Sequence, residues 1–175
     1  MASEKTMRIR ETTEKDIPAV SRIYAEARSY MRAHGNQTQW EPGDRPEDKL
    51  LEDIRLHQSF VGVDDADQPH FAFVFIFGAD PTYKVIEQGS WLNDEPYGTI
   101  HRLGSDGTCR GVFDVVSRFC EERVLSAGLR NLRGDTHADN YTMRHVMEKS
   151  GFIRTGTIHV SDGTPRIAYQ KVLES

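Results

Sequence analysis

The spacing of apolar residues along the chain changes several times and predicts a mixture of helices and strands. Apolar residues three or four positions apart, as over 17–31 and 50–54, indicate amphipathic helices. Short apolar runs such as FVGV (60–63) and FAFVFIF (71–77) indicate strands. Taken in order, the periods predict a strand, two helices, three strands, a helix, a strand, a helix and a closing pair of strands.

The order of these elements also predicts how the strands pair. Strands that follow one another without a helix between them should pair antiparallel, whereas the strand–helix–strand unit over 97–137 should form a parallel crossover. The run 71–77 is apolar on both faces, so we expect it in the middle of the sheet with its four phenylalanines in the core. The aspartates of the preceding turn, DDADQ (64–68), are expected to be solvated.

Length and composition are those of one soluble globular domain. The chain has 175 residues, of which 37% are hydrophobic and 28% charged. We expect residues 1–175 to form a single domain, with 1–6 as a disordered lead-in. A net charge of −5 argues against a nucleic-acid partner and suits a cationic substrate such as an amine. No apolar run is long enough for a membrane span or a signal peptide, so we expect a cytoplasmic protein without a membrane partner.

Cysteine and histidine positions give no sign of a metal site. The two cysteines, Cys109 and Cys120, do not form a CxxC pair, no HExxH occurs, and the seven histidines are scattered. We therefore expect neither a disulfide framework nor a bound metal.

A glycine-rich loop joins a strand to a helix in HRLGSDGTCRGVFDVV, residues 101–116. A helix N-terminus has unpaired N–H groups, glycines let an anion approach the backbone closely, and Arg110 adds a full positive charge. The loop therefore predicts a phosphate site, with plain turn glycines as the alternative. A Walker A loop is excluded because no Gly-Lys-Ser or Gly-Lys-Thr follows. The spacing of Gly104, Gly107 and Gly111 does not fit G-x-G-x-x-G either.

A second motif, DTHADNYTMRHVMEKSGFIRTGTI over 135–158, places Asn140 at the start of a helix that ends in MEKSGF. With the glycine loop and the order of elements, this motif makes the whole chain resemble the GNAT (GCN5-related) N-acetyltransferase family. The resemblance implies an α/β (α+β) fold: a central, mostly antiparallel mixed sheet of about seven strands, with a splayed parallel pair, flanked by about four helices. It also implies acetyl-CoA as co-substrate.

The chain departs from the family pattern at three positions. With Gly111 as the first motif glycine of the pyrophosphate loop, Thr108 stands where Gln or Arg is usual, and Phe113 where Gly or Ala is usual. The backbone donors survive both changes. Met147 stands where many family members carry a tyrosine that protonates the leaving thiolate, so this step needs another acid or bulk water.

The resemblance also assigns residues to the coenzyme. The pantetheine arm would lie between the strand ending at Leu103 and the strand ending near Thr136. The pyrophosphate would lie on N–H groups from about Cys109 to Phe113, and Asn140 would contact the arm or the adenosine. The implied coenzyme contacts are Leu103, Gly107, Thr108, Cys109, Arg110, Gly111, Val112, Phe113, Asn140 and Met147.

Three residues are candidates for the proton transfer that acetylation of an amine requires, because an ammonium has no lone pair. His137 ends one central strand and is the first candidate base; the alternative is a helix-capping or loop histidine. His101 lies on the neighbouring strand, with a structural side chain of the sheet as its alternative. Asp135 could orient either histidine, help to bind an amine, or serve only as a hydrogen-bonding residue. The Leu103 N–H is the expected donor to the tetrahedral oxyanion.

The loop NQTQWEPG, 36–43, is the predicted acceptor pocket, because in the resembling fold this helix-to-helix loop lies beside the acetyl group. Trp40 either lines that pocket or closes the core from above. The predicted acceptor contacts are Asn36, Gln39, Trp40 and Tyr83.

Two functions stay open on the sequence alone, with a third from another class. The first is an acetyl-CoA-dependent N-acetyltransferase in which a primary amine of a small molecule, protein or peptide attacks the thioester directly in a ternary complex. The second is a non-catalytic acyl-CoA-binding module with the same fold, which Met147 favours and the acceptor loop disfavours. The third uses the helix start for a different anion, such as a nucleotide. A homodimer also stays open, because edge strands of this fold often form dimers in relatives.

Overall fold

The computed structural model describes residues 7–174, and these contain seven strands and four helices in the predicted order. The elements are β1 (Arg8–Glu11), α1 (Ile17–Ala33), α2 (Pro46–Arg55), β2 (Ser59–Val63), β3 (Pro69–Phe77), β4 (Tyr97–Ser105), α3 (Val112–Ser126), β5 (Asn131–Thr136), α4 (Tyr141–Lys149), β6 (Ile153–His159) and β7 (Pro165–Val172). Short 3-10 turns at Glu14–Asp16 and Pro81–Tyr83 precede α1 and β4. The predicted lead-in, 1–6, lies outside the described residues. No helix within 7–174 is long and apolar enough to cross a membrane.

The strands hydrogen-bond into one sheet in the order β1-β2-β3-β4-β5-β7-β6. The pairs β1–β2, β2–β3, β5–β7 and β6–β7 are antiparallel, whereas β4 and β5, which α3 connects, are parallel. This confirms the predicted mixed sheet with one parallel pair. The physical reason is that a short turn reverses the chain, whereas a helix between two strands carries it back to the starting end of the sheet.

The described chain divides into two compact units, and β3 and β4 contribute to both. The first unit comprises the chain up to Phe75 together with Arg102–Val112. In its core, one stripe of α1 packs with residues of α2, β2 and β3. The members of this core are Val20, Tyr24, Ala27, Met31, Trp40, Leu50, Val61, Val63 and Ala72. The α1 members recur at the spacing from which the helix is predicted. The single domain over 1–175 stays a prediction.

The second unit comprises Ile76–His101 and the chain from Phe113 onward. The Arg133 guanidinium lies 4.0 Å from the ring centroids of both Trp91 and Tyr97, and burial lowers the pKa of Arg133. The attraction between cation and ring faces stabilises this buried charge. The apolar cluster of this unit comprises Tyr83, Tyr97, Ile158 and Ala168.

Two expectations about the β2–β3 hairpin are wrong. Phe77, the last of the four alternating phenylalanines, is 46% exposed, because β3 continues past Val74, where its register with β2 ends. Asp64 is not simply solvated, since its carboxylate lies 2.7 Å from Nε2 of His70. The other three phenylalanines of the strand are buried as predicted.

Candidate active site

The parallel pairing of β4 and β5 is short. Three residue pairs are in register: Tyr97 with Asn131, Gly98 with Leu132 and Thr99 with Arg133. Both strands continue past these pairs, but the part of the chain that the structure describes has no further pairing between them. In the same register His101 corresponds to Asp135, so these side chains project from the same face of their strands.

Four polar side chains gather on this face, within the second unit, and we name them the divergence cluster: Asp80, Tyr83, His101 and Asp135. The Tyr83 hydroxyl donates to Asp135 Oδ2 at 2.7 Å. Nε2 of His101 lies 3.2 Å from Asp80 Oδ2, and the rings of Tyr83 and His101 are 6.3 Å apart between centroids. Asp135 therefore accepts from a phenol and has no hydrogen bond to either histidine among the described residues, and its functional role stays a prediction.

Asp80 is the member of the divergence cluster that sequence reasoning misses. It lies in an irregular segment, where an aspartate before a proline signals a helix start. The side chain does cap the 3-10 turn, since it accepts the N–H of Thr82 at 2.8 Å. That capping signal gives no indication of the second contact, with His101.

Burial and hydrogen bonds set the charges of this cluster. Burial raises the pKa of Asp80, but hydrogen bonds from His101 and Thr82 outweigh it and lower the pKa to about 2. The carboxylate is therefore ionised at neutral pH. Burial, together with the nearby Asp135 carboxylate, raises the pKa of Tyr83 well above its usual range. The phenol thus keeps its proton and acts as a donor.

The two candidate histidines differ in the ring nitrogen for which a polar partner is seen. Nδ1 of His137 accepts the backbone N–H of Asp139 at 3.1 Å, so a neutral His137 ring carries its proton on Nε2. Burial, with the Arg166 charge, lowers the pKa of His137, and the ring is neutral at pH 7. Such a contact suits a loop histidine, and the role of His137 as a base stays a prediction. His101 contacts Asp80 through Nε2, and its Nδ1 has no hydrogen-bond partner within 7–174.

Met147 lies on the other face of β5. A Cβ built on Gly134 would lie 3.1 Å from Cε of Met147, and Gly134 alternates with Asp135 along the strand. Met147 is 4% exposed. The position where the resembling family carries a tyrosine is therefore apolar and packed, and the missing side chain of Gly134 leaves room for the thioether.

The glycine loop satisfies some of its own amides and leaves others open. Ser105 Oγ accepts the N–H of Gly107, and Asp106 Oδ1 accepts the N–H of Thr108. The amides from Cys109 to Phe113 have no acceptor among the described residues. The run that is open to an anion is therefore narrower than the predicted set of contacts, because the chain itself engages Gly107 and Thr108.

Two further features of this loop suit an anion. Gly107 and Gly111 have φ of +81° and +65°, and a Cβ at either would meet no atom within 4 Å. Arg110 is exposed, and its guanidinium forms no ion pair with any residue that the structure describes. Phe113, by contrast, is buried and packs edge-on to Phe152 at 5.7 Å between centroids, so its side chain anchors the helix start.

His70 holds the beginning of the glycine loop. The sequence does not indicate this role, because the neighbours of His70 on β3 are apolar. Nδ1 of His70 lies 2.8 Å from Asp106 and 3.0 Å from Oγ1 of Thr108, and Nε2 lies 2.7 Å from Asp64. The Asp64 hydrogen bond raises the pKa of His70 against the effect of burial. The hydrogen bond from the His70 ring lowers the pKa of Asp64. Burial raises the pKa of Asp106, but hydrogen bonds from Thr108 and His70 outweigh it and lower the pKa. The His70 ring, held between the carboxylates of Asp64 and Asp106, thus fixes the residues that precede the open amides.

Solved structures give the comparison that decides the fold. A GNAT-family acetyltransferase from Streptococcus agalactiae is 28% identical over 97% of this chain and 96% of its own, with a TM-score of 0.83. A GNAT-family acetyltransferase from Listeria monocytogenes is 17% identical over 99% of this chain and 98% of its own, with a TM-score of 0.72. A chain in the structure of the NatC complex bound to Gag peptide and CoA is 13% identical over 96% of this chain and 99% of its own, with a TM-score of 0.60. No protein-family model and no curated protein matches the sequence.

The chain has the GNAT fold. Its structural neighbours are GNAT acetyltransferases, which supports acyl transfer as its general chemistry. The fold predicted from the two motifs is thereby confirmed, whereas the site residues stay predictions.

In this GNAT fold, the loop between α1 and α2 buries Asn36 and Trp40, whereas most of its other residues are exposed. Trp40 is 6% exposed and packs edge-on to Tyr24 at 5.6 Å between centroids, so the structure shows the core alternative for its indole. Nδ2 of Asn36 donates to Gln39 at 2.7 Å, whereas Oδ1 of Asn36 is buried and has no donor among the described residues. The acceptor roles of these side chains, and of the buried Tyr83, stay predictions.

The GNAT sheet also has a kink in β4 that the sequence does not reveal. Arg102 has a φ of +48°, a left-handed conformation that is strained for a residue with a side chain. Its guanidinium donates to both carboxylate oxygens of Asp53 in α2, at 2.8 and 3.1 Å. The next residue, Leu103, carries the N–H predicted to bind the oxyanion. A Cβ at Gly104 would lie 2.9 Å from the Tyr24 ring, so a glycine is required for this approach of β4 to α1.

The remaining predicted contacts have local partners. Asn140 caps α4, since its side chain accepts the N–H of Met143 at 3.1 Å. Cys109 is partly buried, with its Sγ 3.8 Å from Oγ1 of Thr108. Within residues 7–174, no group of three or more His, Cys, Asp or Glu side chains is arranged to hold a metal ion.

Proposed function

We propose that the protein is an acetyl-CoA-dependent N-acetyltransferase that passes the acetyl group directly to a primary amine in a ternary complex. The observation that carries the proposal is the run of amides from Cys109 to Phe113 at the start of α3, which have no acceptor among the described residues, beside the exposed guanidinium of Arg110. Free N–H groups at a helix start bind phosphate, and a diphosphate offers oxygens to several donors at once. One neighbour of the same fold is a complex bound to CoA, whose diphosphate suits such donors.

The parting of β4 and β5 supports the same proposal. Among the residues that the structure describes, the two strands do not pair past Thr99 and Arg133, which leaves backbone groups of their facing edges available to an extended ligand. The pantetheine arm of acetyl-CoA is extended and carries amides, and can bond to a strand edge as an added strand does.

The proposed chemistry begins with the loss of a proton. An amine is an ammonium in neutral water, and its lone pair becomes available when the proton leaves. The nitrogen then bonds to the thioester carbon, and the Leu103 N–H is the proposed donor to the oxyanion. The nitrogen gives its second proton to water, collapse breaks the C–S bond, and the CoA thiolate takes a proton from water, because Met147 has none to give. Holding both reactants together supplies part of the rate.

The acceptor class that we propose is a primary amine of a small molecule, a protein or a peptide. The net charge of −5 attracts cationic acceptors. The buried Oδ1 of Asn36, which has no donor among the described residues, is suited to an N–H of the acceptor. A neighbour bound to a peptide supports the inclusion of peptide amines among the acceptors.

A non-catalytic acyl-CoA-binding module is the second candidate. The observation that favours it is Met147, which is buried and cannot protonate a leaving thiolate. Such a module would retain the open amides and the parted strands, since both serve binding.

Thiol release and thermal stability distinguish the candidates. The purified chain is mixed with acetyl-CoA and, in turn, a polyamine, an amino sugar, a lysine-containing peptide and a peptide with a free N-terminus. An acetyltransferase releases CoA thiol with at least one amine, and acetyl-CoA raises its Tm. A binding module shows the Tm increase without thiol. A Tm that responds to a nucleotide and not to acetyl-CoA would contradict both candidates.

A further inference from the structure

We propose that His101 is the general base that removes the proton from the acceptor amine, and that Asp80 is the residue that positions it. This inference rests on the proposed function and adds the proton acceptor to it. It is carried by the hydrogen bonds of the divergence cluster, all of which lie within the second unit.

The contact with Asp80 fixes which nitrogen of His101 is basic. Nε2 lies 3.2 Å from Asp80 Oδ2, and a carboxylate can only accept, so Nε2 carries the proton. A neutral imidazole then has its lone pair on Nδ1. Nδ1 of His101 has no partner in the described chain, so that lone pair is available to a proton. The imidazole side chain is 19% exposed, which leaves access for an acceptor.

Asp80 is itself held in one orientation. Its Oδ1 accepts both the N–H and the hydroxyl of Thr82, at 2.8 and 2.7 Å. Its backbone N–H donates to the Tyr97 hydroxyl at 2.8 Å. With Oδ1 occupied, Oδ2 faces His101. The same constraint determines what an asparagine does at this position, because the N–H of Thr82 requires an acceptor and therefore holds the amide oxygen at the Oδ1 site.

The other groups that face His101 leave its Nδ1 free. The titratable side chains of the cluster are Asp80, Tyr83 and Asp135, and the Tyr83 hydroxyl is already committed to Asp135 at 2.7 Å. Asp135 is partly exposed, and its negative charge on the same face as His101 favours the approach of a cationic amine. His137 does not offer the same chemistry, since its Nδ1 accepts the N–H of Asp139.

The proposed reaction begins with the transfer of one proton from the acceptor to His101. An N–H bond of the acceptor ammonium breaks and an Nδ1–H bond forms, which leaves a neutral amine and an imidazolium beside the Asp80 carboxylate. The amine lone pair forms the C–N bond, the nitrogen gives its second proton to solvent, and the C–S electron pair leaves on the CoA sulfur. The imidazolium returns its proton to solvent, and the thiolate takes one, giving CoA thiol, the acetylated amine and a net proton.

The test is Asp80→Asn, read by kinetics and by 15N NMR. With its oxygen held by Thr82, the asparagine presents its NH2 group to Nε2, which moves the imidazole proton to Nδ1 and fills the basic lone pair. We expect kcat to fall by about a hundredfold, a typical size for a lost general base, with KM for acetyl-CoA unchanged. The 15N shifts of His101 should change from the Nε2–H to the Nδ1–H tautomer.

Asp139→Asn is the matched control, since it removes the carboxylate beside the other histidine, His137, and should leave kcat within about twofold of wild type. Asp80→Asn with wild-type kcat, or wild-type His101 protonated on Nδ1, would overturn the assignment while the proposed function stands. A wild-type chain that releases no thiol with any amine would overturn both. If Asp80→Asn does not fold, His101→Gln and the wild-type NMR spectrum decide.

Discussion

Arg110 lies exposed in the glycine loop, next to amides that have no acceptor in the described chain. Its guanidinium is free to form a charge-assisted hydrogen bond with a phosphate. We expect Arg110→Ala to raise the Kd for CoA about five- to tenfold, as measured by isothermal titration calorimetry. Binding of the variant should also depend less on salt. Arg118→Ala, an exposed change farther along α3, is the control, and an equal loss in both variants would argue for net charge rather than contact.

The two histidines show where residue-level inference from sequence ends. His101 lies within β4 and His137 directly follows β5, and this position along the chain is all that the sequence provides. What distinguishes them is the N–H of Asp139 on one ring and the carboxylate of Asp80 on the other. The first partner is local, but the second comes from an irregular segment whose path the apolar pattern does not define.

At the scale of elements, β4 is tied to α2 by the ion pair between Arg102 and Asp53. The carboxylate is 5% and the guanidinium 20% exposed, and Gln58 also donates to Asp53 at 2.9 Å. Asp53→Ala would leave both donors without an acceptor. We expect a loss of about 3 kcal/mol in the free energy of unfolding, the low end for a broken buried pair because the arginine is partly solvated.

Urea denaturation of Asp53→Ala measures this loss, with Glu52→Ala, its exposed neighbour on α2, as the control. The folded variant should also have a lower kcat, because the strained φ of Arg102 immediately precedes the proposed oxyanion donor. A stability equal to that of the control would show that the ion pair does not hold the kink.

A second prediction concerns pH and the His70 clamp between β3 and the glycine loop. Because the pKa of His70 is raised in the folded chain, its stabilisation is complete below the unfolded pKa of about 6.5. It is lost as pH rises through the folded value. The aspartates have lowered pKa values, so their contribution is present above about pH 4 and is lost as pH falls.

The stability difference between wild type and His70→Asn should therefore be largest between about pH 4 and 6.5 and shrink toward pH 9. Urea denaturation at a series of pH values measures it. His57→Asn is the control, because the contact of His57 with Glu11 is exposed on both sides and contributes little. A His70 difference that stays constant across this range would contradict the clamp.

At the scale of the whole molecule, binding of acetyl-CoA should stabilise the fold. At a concentration of one hundred times Kd, ligand that binds only the folded chain adds about 2.7 kcal/mol. A thermal scan with increasing acetyl-CoA should show Tm rising with the logarithm of its concentration. Arg110→Ala should need about five to ten times more acetyl-CoA to reach the same Tm, and a curve that coincides with wild type would contradict the placement of the diphosphate.

The architecture follows from local patterns much further than the site does. The spacing of apolar residues predicts every element and the parallel crossover, because a helix and a strand bury their faces with different periods. The exposure of Phe77, the left-handed Arg102 and the contacts of Asp80 depend on where one segment ends against another. No pattern within a single segment encodes such contacts between segments. The elements and their pairing are therefore predictable from the sequence, whereas the contacts that set the chemistry of the site are not.

The two tryptophans of the chain are distributed with one in each compact unit. Trp40 packs edge-on against Tyr24 in the first core, and Trp91 lies under the Arg133 cation in the second. Their fluorescence should therefore differ in colour and in quenching, and Trp91→Phe and Trp40→Phe each leave one natural optical reporter. With these two variants, an unfolding experiment can follow each half of the molecule separately without any attached dye.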